Sequence, residues 1–136
     1  MKIINMKAQT IIYWVARLIA AAIMLQTLYF KFTASAESVY IFTTVGMEPW
    51  GRIAVGVFEL IASVLILINR TAWAGAVVAI GLMAGAIMMH LTLLGIEVQG
   101  DGGQLFLYAI LVTLSSAYVV YANRENIKAV LARIRE

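Results

Sequence analysis

The sequence predicts an all-α integral membrane protein folded as a four-helix bundle, and three observations support this. Of the 136 residues, 63% are hydrophobic and 12% are charged, whereas soluble domains carry about 25% charged residues. Four long apolar runs follow one another along the chain. Each run is close to the ~20 residues that a helix needs to cross a bilayer. This composition excludes a soluble enzyme, a disordered tail and a disulfide-stapled secreted module.

The four spans are predicted over residues of about 11–31, 51–69, 72–95 and 104–122, in a single transmembrane domain of residues 1–136. The first run is too long for the core of a signal peptide, so we expect it to be a retained span. Its Arg17 is expected to snorkel towards the nearer membrane interface.

Two shorter helices and one turn complete the predicted fold. After span one, Ser35 is placed to cap a short helix on the outer surface. Between spans three and four, the segment 100–103 is expected to form a tight turn, with Asp101 or Gly103 beginning span four. After span four, residues 124–136 alternate apolar and basic side chains at helical spacing, which predicts an amphipathic helix on the cytoplasmic membrane surface.

The distribution of cations predicts the orientation. With four spans, both termini share one side with the turn around Arg70, and that side carries Lys2, Lys7, Arg70, Arg124, Lys128, Arg133 and Arg135. Cytoplasmic loops are enriched in lysine and arginine. We therefore expect both termini in the cytoplasm of a cell whose inner membrane the chain spans several times. The basic charge thus concerns topology, and no nucleic-acid partner is expected.

The sequence limits the chemistry that the side chains can perform. With no cysteine and one histidine, the chain offers no thiol pair, no thiolate-held iron–sulfur cluster and no bis-histidine haem site. No histidine–carboxylate cluster has the spacing of metal ligands. We therefore expect no metal site, no covalently bound cofactor and no catalysis by the chain alone, although a role as an oxidoreductase subunit stays open.

Ionisable side chains within the spans are the functional candidates, because a charge near the bilayer centre costs about 2.5–3.5 kcal/mol. Counted at ~1.5 Å per residue, the polar groups of all four spans converge on the outer half of the bilayer. The candidates for ligand binding are Glu59, His90, Lys31, Arg52, Tyr108 and Gln104. For Glu59, a purely structural ion pair with Lys31, Arg52 or His90 that fixes helix register stays open.

Helical periodicity arranges these groups. Arg52, Gly56, Glu59 and Ser63 fall on one stripe of span two, and Arg17, Met24 and Lys31 repeat every seven residues on span one. Gln26 points nearly opposite the span-one stripe, so we do not expect both in one pocket.

Two glycines of span three, Gly81 and Gly85, are separated by three residues. This spacing permits close approach of a neighbouring helix in membranes. We expect His90 to project away from this small face.

In the order and spacing of its motifs, the chain resembles the DoxX family of small four-span bacterial membrane proteins from Arg17 to Tyr121. The matching elements are Arg17 followed by Tyr29-Phe30-Lys31-Phe32, Gly56-x-x-Glu59, Asn69-Arg70-Thr71 and a small-residue-rich third span ending in His90. The resemblance implies a polar core of Arg17, Lys31, Glu59 and His90. It also implies an association with membrane redox assemblies, including thiosulfate–quinone oxidoreduction and oxidative-stress complexes.

Three functions follow as hypotheses. In the first, the chain binds a small lipophilic ligand, with a quinone as the candidate cofactor, and supports a membrane redox partner. In the second, Glu59 is the carboxylate of a small proton-coupled transporter or exporter, and a homodimer would supply the symmetry that one chain lacks. In the third, the chain is a scaffold or assembly factor without a ligand. In all three, the lipid bilayer is a partner.

Overall fold

The computed structural model describes residues 2–136, with side chains from Lys7 onward. Met1 and the side chain of Lys2, which the predicted domain and orientation include, lie outside this description. The described chain folds into the helices α1 (Lys2–Phe32), α2 (Ala36–Thr44), α3 (Trp50–Leu67), α4 (Ala72–Met89), α5 (Gln104–Ala122) and α6 (Arg124–Arg135), and α4 continues into a π-helical turn over His90–Leu94. The predicted all-α class is confirmed.

Four of these helices are long and apolar enough to cross a membrane: α1 from Lys7, α3, α4 with its π-helical turn, and α5. They form a ring in which α1 and α4 each pack against both α3 and α5. The apolar side chains on the outside of this ring are largely exposed. Such a surface is stable in lipid and would aggregate in water.

One end of the bundle carries both chain ends and the turn at residues 68–71, and we call it the termini end. Its core consists mainly of small side chains, among them Ala20, Ala62 and Ala76, which are fully buried. A Cβ built on Gly75 would lie 2.5 Å from the backbone nitrogen of Ile66. Because Gly75 has no side chain, α3 and α4 can approach closely at this point.

Arg17 belongs to the termini end, and its position differs from the expected snorkelling. The side chain is fully buried. Its Nε donates to the carbonyl oxygen of Ile66 at 2.7 Å and its Nη1 to Oδ1 of Asn69 at 2.9 Å, and the guanidinium lies 3.8 Å from the ring centroid of Trp14. The last carbonyls of a helix lack intrahelical partners. Arg17 therefore caps the end of α3 inside the protein through Nε and Nη1, while its buried Nη2 has no hydrogen-bond partner among the described residues.

The opposite end carries α2 and the loop 95–103, and we call it the cavity end. Ser35 caps α2 as expected, because its hydroxyl accepts the backbone N–H of Ser38 at 3.2 Å. In the loop, the carboxylate of Asp101 accepts backbone N–H groups of Val98, Gly103 and Leu105. Asp101 therefore organises the turn that leads into α5, whose N-cap is Gly103.

Helix α6 follows α5 after a single residue and lies outside the bundle. None of its residues is buried, and Leu131 and Ile134 are exposed. Its polar contacts are local: Lys128 pairs with Glu125 at 3.7 Å, and Arg124 stacks on Tyr121 of the preceding helix. A separate amphipathic helix was expected here, and its place on the membrane surface stays a prediction.

Candidate functional site

A cavity of about 430 Å³ occupies the cavity end of the bundle. Residues of all four long helices and of α2 line it. The walls are largely apolar, and they carry a small set of polar side chains: Gln26, Thr27, Lys31, Ser35, Glu37, Ser38, Glu59, His90, Gln104 and Tyr108. Sites for small lipophilic ligands have this size and this combination of apolar walls with a few convergent polar groups.

The centre of the polar set is an ion pair between α1 and α3. Lys31 Nζ lies 3.2 Å from Glu59 Oε1, and the two side chains are 15% and 4% exposed. The other carboxylate oxygen of Glu59 accepts the hydroxyl hydrogen of Thr27 at 3.0 Å. Glu59 is thereby held by two neighbours. Lys31 has three ammonium hydrogens, and its contact with Glu59 leaves some of them available to a ligand. Two residues predicted to bind a ligand thus lie together in the cavity wall.

Arg52 does not take part in this cluster, although the sequence predicts it as a ligand-binding candidate. Its Nε donates to both carboxylate oxygens of Glu48, at 2.9 and 3.0 Å, and its Nη1 donates to the carbonyl oxygen of Lys31. Arg52 does not line the cavity. Glu48 lies one helical turn away and is therefore the nearer carboxylate. Arg52 ties α3 to the end of α1 and has a structural role.

His90 lines the cavity at the start of the π-helical turn and is 5% exposed. Its Nδ1 lies 2.9 Å from the carbonyl oxygen of Gly95. Since a carbonyl only accepts, Nδ1 carries a hydrogen, and Nε2 is the acceptor in the neutral ring. The ring also packs edge-to-face on Phe106. Within the described chain Nε2 has no hydrogen-bond partner, so a ligand can reach it without displacing a protein group.

Gln104 and Tyr108, two of the candidates for ligand binding, line the cavity from α5. Gln104 Nε2 donates to the Tyr108 hydroxyl oxygen at 2.8 Å. Because this bond uses a lone pair of the hydroxyl, the phenolic hydrogen of Tyr108 stays available to another acceptor. Lys31 and Tyr108 therefore present donors to the cavity from two different helices.

Two carboxylates at the cavity end of the bundle, Glu37 and Asp101, have shifted pKa values. Burial raises the pKa of Glu37, and the negative charge of Asp101 adds to this effect. For Asp101, burial acts in the same upward direction. The N–H groups of Val98, Gly103 and Leu105, together with His90, outweigh it and hold the Asp101 pKa below its usual value. Glu37 is thus the acid at this end that binds a proton more readily than an ordinary glutamate.

The glycines singled out in the sequence have roles that differ from the expected ones. A Cβ built on Gly81 or Gly85 would meet no atom within 4 Å, and both residues line the cavity. They therefore do not mediate a close helix contact within the described chain. His90 is buried whereas both glycines are exposed, which agrees with the expectation that His90 projects away from this small face. At Gly56, a Cβ would lie 2.7 Å from the ring of Phe32. Gly56 therefore allows close packing at this end, as does Gly51, where a Cβ would lie 2.5 Å from Met47 Cβ.

Gln26 also lines the cavity together with Met24 and Lys31, so the expected separation of these residues is wrong. The cavity is wide enough to be bordered by a broad arc of α1. Gln26 is exposed at one edge of this arc, and Met24 is buried at the other. A helical-wheel argument separates directions on one helix, but it does not give the width of a pocket.

Three residues important at the two ends were not predicted from the sequence. Thr27 lies four residues before Lys31, so its place on the same helix face was a usable signal. The roles of Asn69 as a partner of Arg17 and of Gly75 in the α3–α4 contact depend on how the helices pack. No local pattern in the sequence predicts them.

Comparison with known proteins agrees with this architecture. A family model described as DoxX matches residues 12–92 of the chain. No curated protein and no solved structure matches it. The matched region contains the ion pair of Lys31 and Glu59, the buried Arg17 and His90. With its four apolar membrane-spanning helices, the chain is an integral membrane protein that belongs to the DoxX family.

Proposed function

We propose that the chain binds a small lipophilic molecule with a polar carbonyl head, such as a quinone, in the cavity between α1, α3, α4 and α5. The observation that carries this proposal is the buried ion pair of Lys31 and Glu59 in the wall of an apolar cavity of about 430 Å³. A pair that served only to lock two helices would be expected to pack against side chains. This one borders space that a ligand can fill.

The hydrogen-bonding inventory favours a ligand that accepts. Lys31 and Tyr108 each have a donor hydrogen that the described contacts leave available. A quinone offers two carbonyl acceptors and a flat apolar ring, which matches two donors in an apolar wall. The Glu59 carboxylate contacts Lys31 with one oxygen and accepts the Thr27 hydroxyl hydrogen with the other. Thr27 therefore orients Glu59, and Glu59 holds Lys31 in position.

The packing at the termini end favours a ligand-binding protein over a transporter. At the termini end, the side chains of Ile66 and Val119 are fully buried, and Gly75 allows α3 and α4 to come into contact. The buried cation of Arg17 lies in the same half of the bundle. A transported solute or proton would have to cross this packed layer. The cavity therefore serves a ligand that enters and leaves at one end.

The cellular setting is part of the proposal. We propose that the protein lies in the inner membrane with both termini in the cytoplasm, and that it presents its ligand to a membrane redox partner. A homodimer stays a prediction. The orientation can be tested with single cysteines, because the chain has none of its own. An impermeant thiol reagent should label a cysteine at the exposed Tyr40 in intact cells and one at the exposed Asn126 only after lysis. The reverse pattern would overturn the orientation.

The ligand proposal is tested by two variants that each lose a cation at the same end of the bundle. Lys31→Met removes a cation that faces the cavity, and Arg52→Met removes one that does not. Mass spectrometry of organic extracts should find a lipophilic carbonyl compound with the wild type and with Arg52→Met, and at least about tenfold less with Lys31→Met. Equal ligand content in Lys31→Met and the wild type, or a wild type without such a compound, would contradict the proposal.

A further inference from the structure

His90 is the only histidine of the chain, and the turn that follows it fixes the hydrogen on its ring. After His90 the helix widens into the π-helical turn, which ends at Gly95 with a φ of 81°. The carbonyl oxygen of Gly95 lies 2.9 Å from His90 Nδ1. Because a carbonyl oxygen only accepts, Nδ1 carries the hydrogen. The neutral ring therefore presents Nε2 as a bare acceptor.

Within the described chain, no carboxylate holds the ring as an imidazolium by direct contact. The ion pairs of the described residues are those of Lys31, Arg52 and Lys128, and none of them involves His90. The charge of Asp101 interacts with His90, but the Asp101 oxygens accept the backbone N–H groups of three loop residues. His90 Nε2 is therefore left to accept from a ligand.

The other buried polar side chains of the cavity wall have less need of a ligand hydrogen. Of the described polar residues that line the cavity, Ser38, Glu59 and His90 are buried. Glu59 already accepts from Thr27 and contacts Lys31, and a serine hydroxyl can donate as well as accept. A buried acceptor without a partner has lost its hydrogen bonds to water without replacement. His90 Nε2 is thus the atom that gains most from a donor on the ligand.

We propose that the cavity selects the reduced, dihydroxy form of its quinone ligand, the quinol, because His90 Nε2 accepts a hydroxyl hydrogen from it. This inference rests on the proposed function. A quinol keeps the acceptors that Lys31 and Tyr108 require, since each hydroxyl oxygen has lone pairs, and it adds a hydrogen for His90. A quinone has no hydrogen on its oxygens, so its carbonyl would face the lone pair of Nε2. His90 thus determines specificity for the redox form.

The test compares two probes that have the same ring and differ by two hydrogens: tetramethyl-1,4-hydroquinone and tetramethyl-1,4-benzoquinone. Equilibrium dialysis against the detergent-solubilised protein measures the binding of each after subtraction of uptake by protein-free micelles. Oxygen is excluded, and the pH is about 8, above the ordinary pKa of histidine. The wild type should bind the hydroquinone about tenfold more tightly, the factor that one hydrogen bond supplies. Equal binding, or tighter binding of the quinone, would overturn the inference.

Two variants separate an acceptor from a donor in the same cavity. His90→Phe keeps an aromatic ring and removes Nε2, so it should weaken hydroquinone binding about tenfold and leave quinone binding unchanged. Tyr108→Phe removes a hydroxyl donor and should weaken both probes, because both have oxygen acceptors. Thermal unfolding checks that the variants are folded. A folded His90→Phe protein that loses both probes equally would mean that His90 only shapes the cavity, which overturns the inference.

A second measurement decides if His90→Phe, which also loses the hydrogen bond to Gly95, does not fold. Because the chain has one histidine, ¹⁵N-histidine labelling of protein without a histidine tag gives NMR signals of His90 alone. In the free wild type at the same pH, Nδ1 should carry a hydrogen and Nε2 should not. The hydroquinone should shift the Nε2 resonance, and the quinone should not. A hydrogen on Nε2 in the free protein, or an Nε2 resonance that the hydroquinone leaves in place, would contradict the role of His90.

The outcomes separate this inference from the proposed function. If the wild type binds the quinone at least as tightly as the hydroquinone and Lys31→Met loses both, the role of His90 is wrong and the proposed function stands. A wild type that binds neither probe, or a Lys31→Met protein that binds both like the wild type, would overturn the proposed function and this inference with it.

Discussion

The two ends of the bundle differ in the surroundings that they give to a buried cation. Arg17 and Lys31 lie on one face of α1, two heptads apart, and both contact α3. At the termini end, Arg17 is enclosed by small side chains, helix carbonyls and the ring of Trp14. At the cavity end, Lys31 has a carboxylate partner and borders open space. The same pattern of spacing therefore produces a structural clamp at one end and a candidate binding group at the other.

The difference has a physical origin in the neighbouring helices. Gly75 lets α4 lie against α3 at the termini end, because a Cβ there would meet the backbone of Ile66 and Ala62. At the other end, the four long helices and α2 border a cavity of about 430 Å³. A glycine permits contact only where another backbone is in place to use the space.

The largest expected effect is a loss of stability when Arg17 is replaced. Arg17→Met should lower the free energy of unfolding by about 2–4 kcal/mol, because the Ile66 carbonyl and Asn69 lose charged hydrogen-bond partners in a buried site. Thermal unfolding in detergent measures this loss. Arg70→Met, which removes an exposed cation of the neighbouring turn, should change little. Quinone binding by folded Arg17→Met should equal that of the wild type, and a selective loss of binding would remove the contrast between the two ends.

An intermediate effect is expected at Asp101. Its pKa is lowered because three backbone N–H groups outweigh burial, so the ionised form stabilises the loop above the ordinary pKa of aspartate. That stability is lost as the pH falls below about 4 and through the lowered value. Asp101→Asn should therefore cost about 1–2 kcal/mol at neutral pH and flatten the acid dependence of unfolding.

The matched control for this change is Glu97→Gln. Glu97 accepts a single exposed backbone N–H, that of Gly102 at 3.3 Å, so its variant should unfold like the wild type at every pH. Unfolding followed between about pH 3 and 7 compares the two variants. An unchanged acid dependence in Asp101→Asn would show that the loop does not depend on this carboxylate.

The smallest expected effect concerns Thr27. Thr27→Val keeps the shape of the side chain and removes its hydrogen bond to Glu59, which should cost about 1 kcal/mol or less in stability and weaken quinone binding a few-fold. Thr113→Val is the control, because Thr113 donates only to the carbonyl of Ala109 in its own helix. If Thr27→Val binds the quinone as strongly as Thr113→Val does, Glu59 holds Lys31 in position without the hydrogen bond from Thr27.

Much of the fold follows from composition and periodicity. The sequence predicts the four membrane-crossing helices, the Ser35 cap of α2 and the turn at Asp101. It also predicts that one face of α3 carries Arg52, Gly56, Glu59 and Ser63, and these four residues are buried. Apolar length and helical spacing are local properties, and in lipid a helix must satisfy its own backbone. Such features therefore do not depend on which helices become neighbours.

The partners of the polar groups were decided by packing. From the sequence, Lys31, Arg52 and His90 were equal candidates to pair with Glu59, and the structure gives Glu59 to Lys31, Arg52 to Glu48 and His90 to Gly95. Position along the spans predicts only that these side chains lie at a similar depth in the membrane. A hydrogen-bonded ion pair needs about 3 Å between nitrogen and oxygen, so which side chains pair depends on how each helix is rotated about its axis.

The sequence by itself determined that this chain is a four-span helical membrane protein with its ionisable groups gathered at one end. Only the tertiary structure decided that this end encloses a cavity and that Gly75 lets α3 and α4 meet at the other end. The physical reason is that burial in a bilayer acts on each helix separately. Space between helices arises from their mutual angles and contacts, which no single helix encodes.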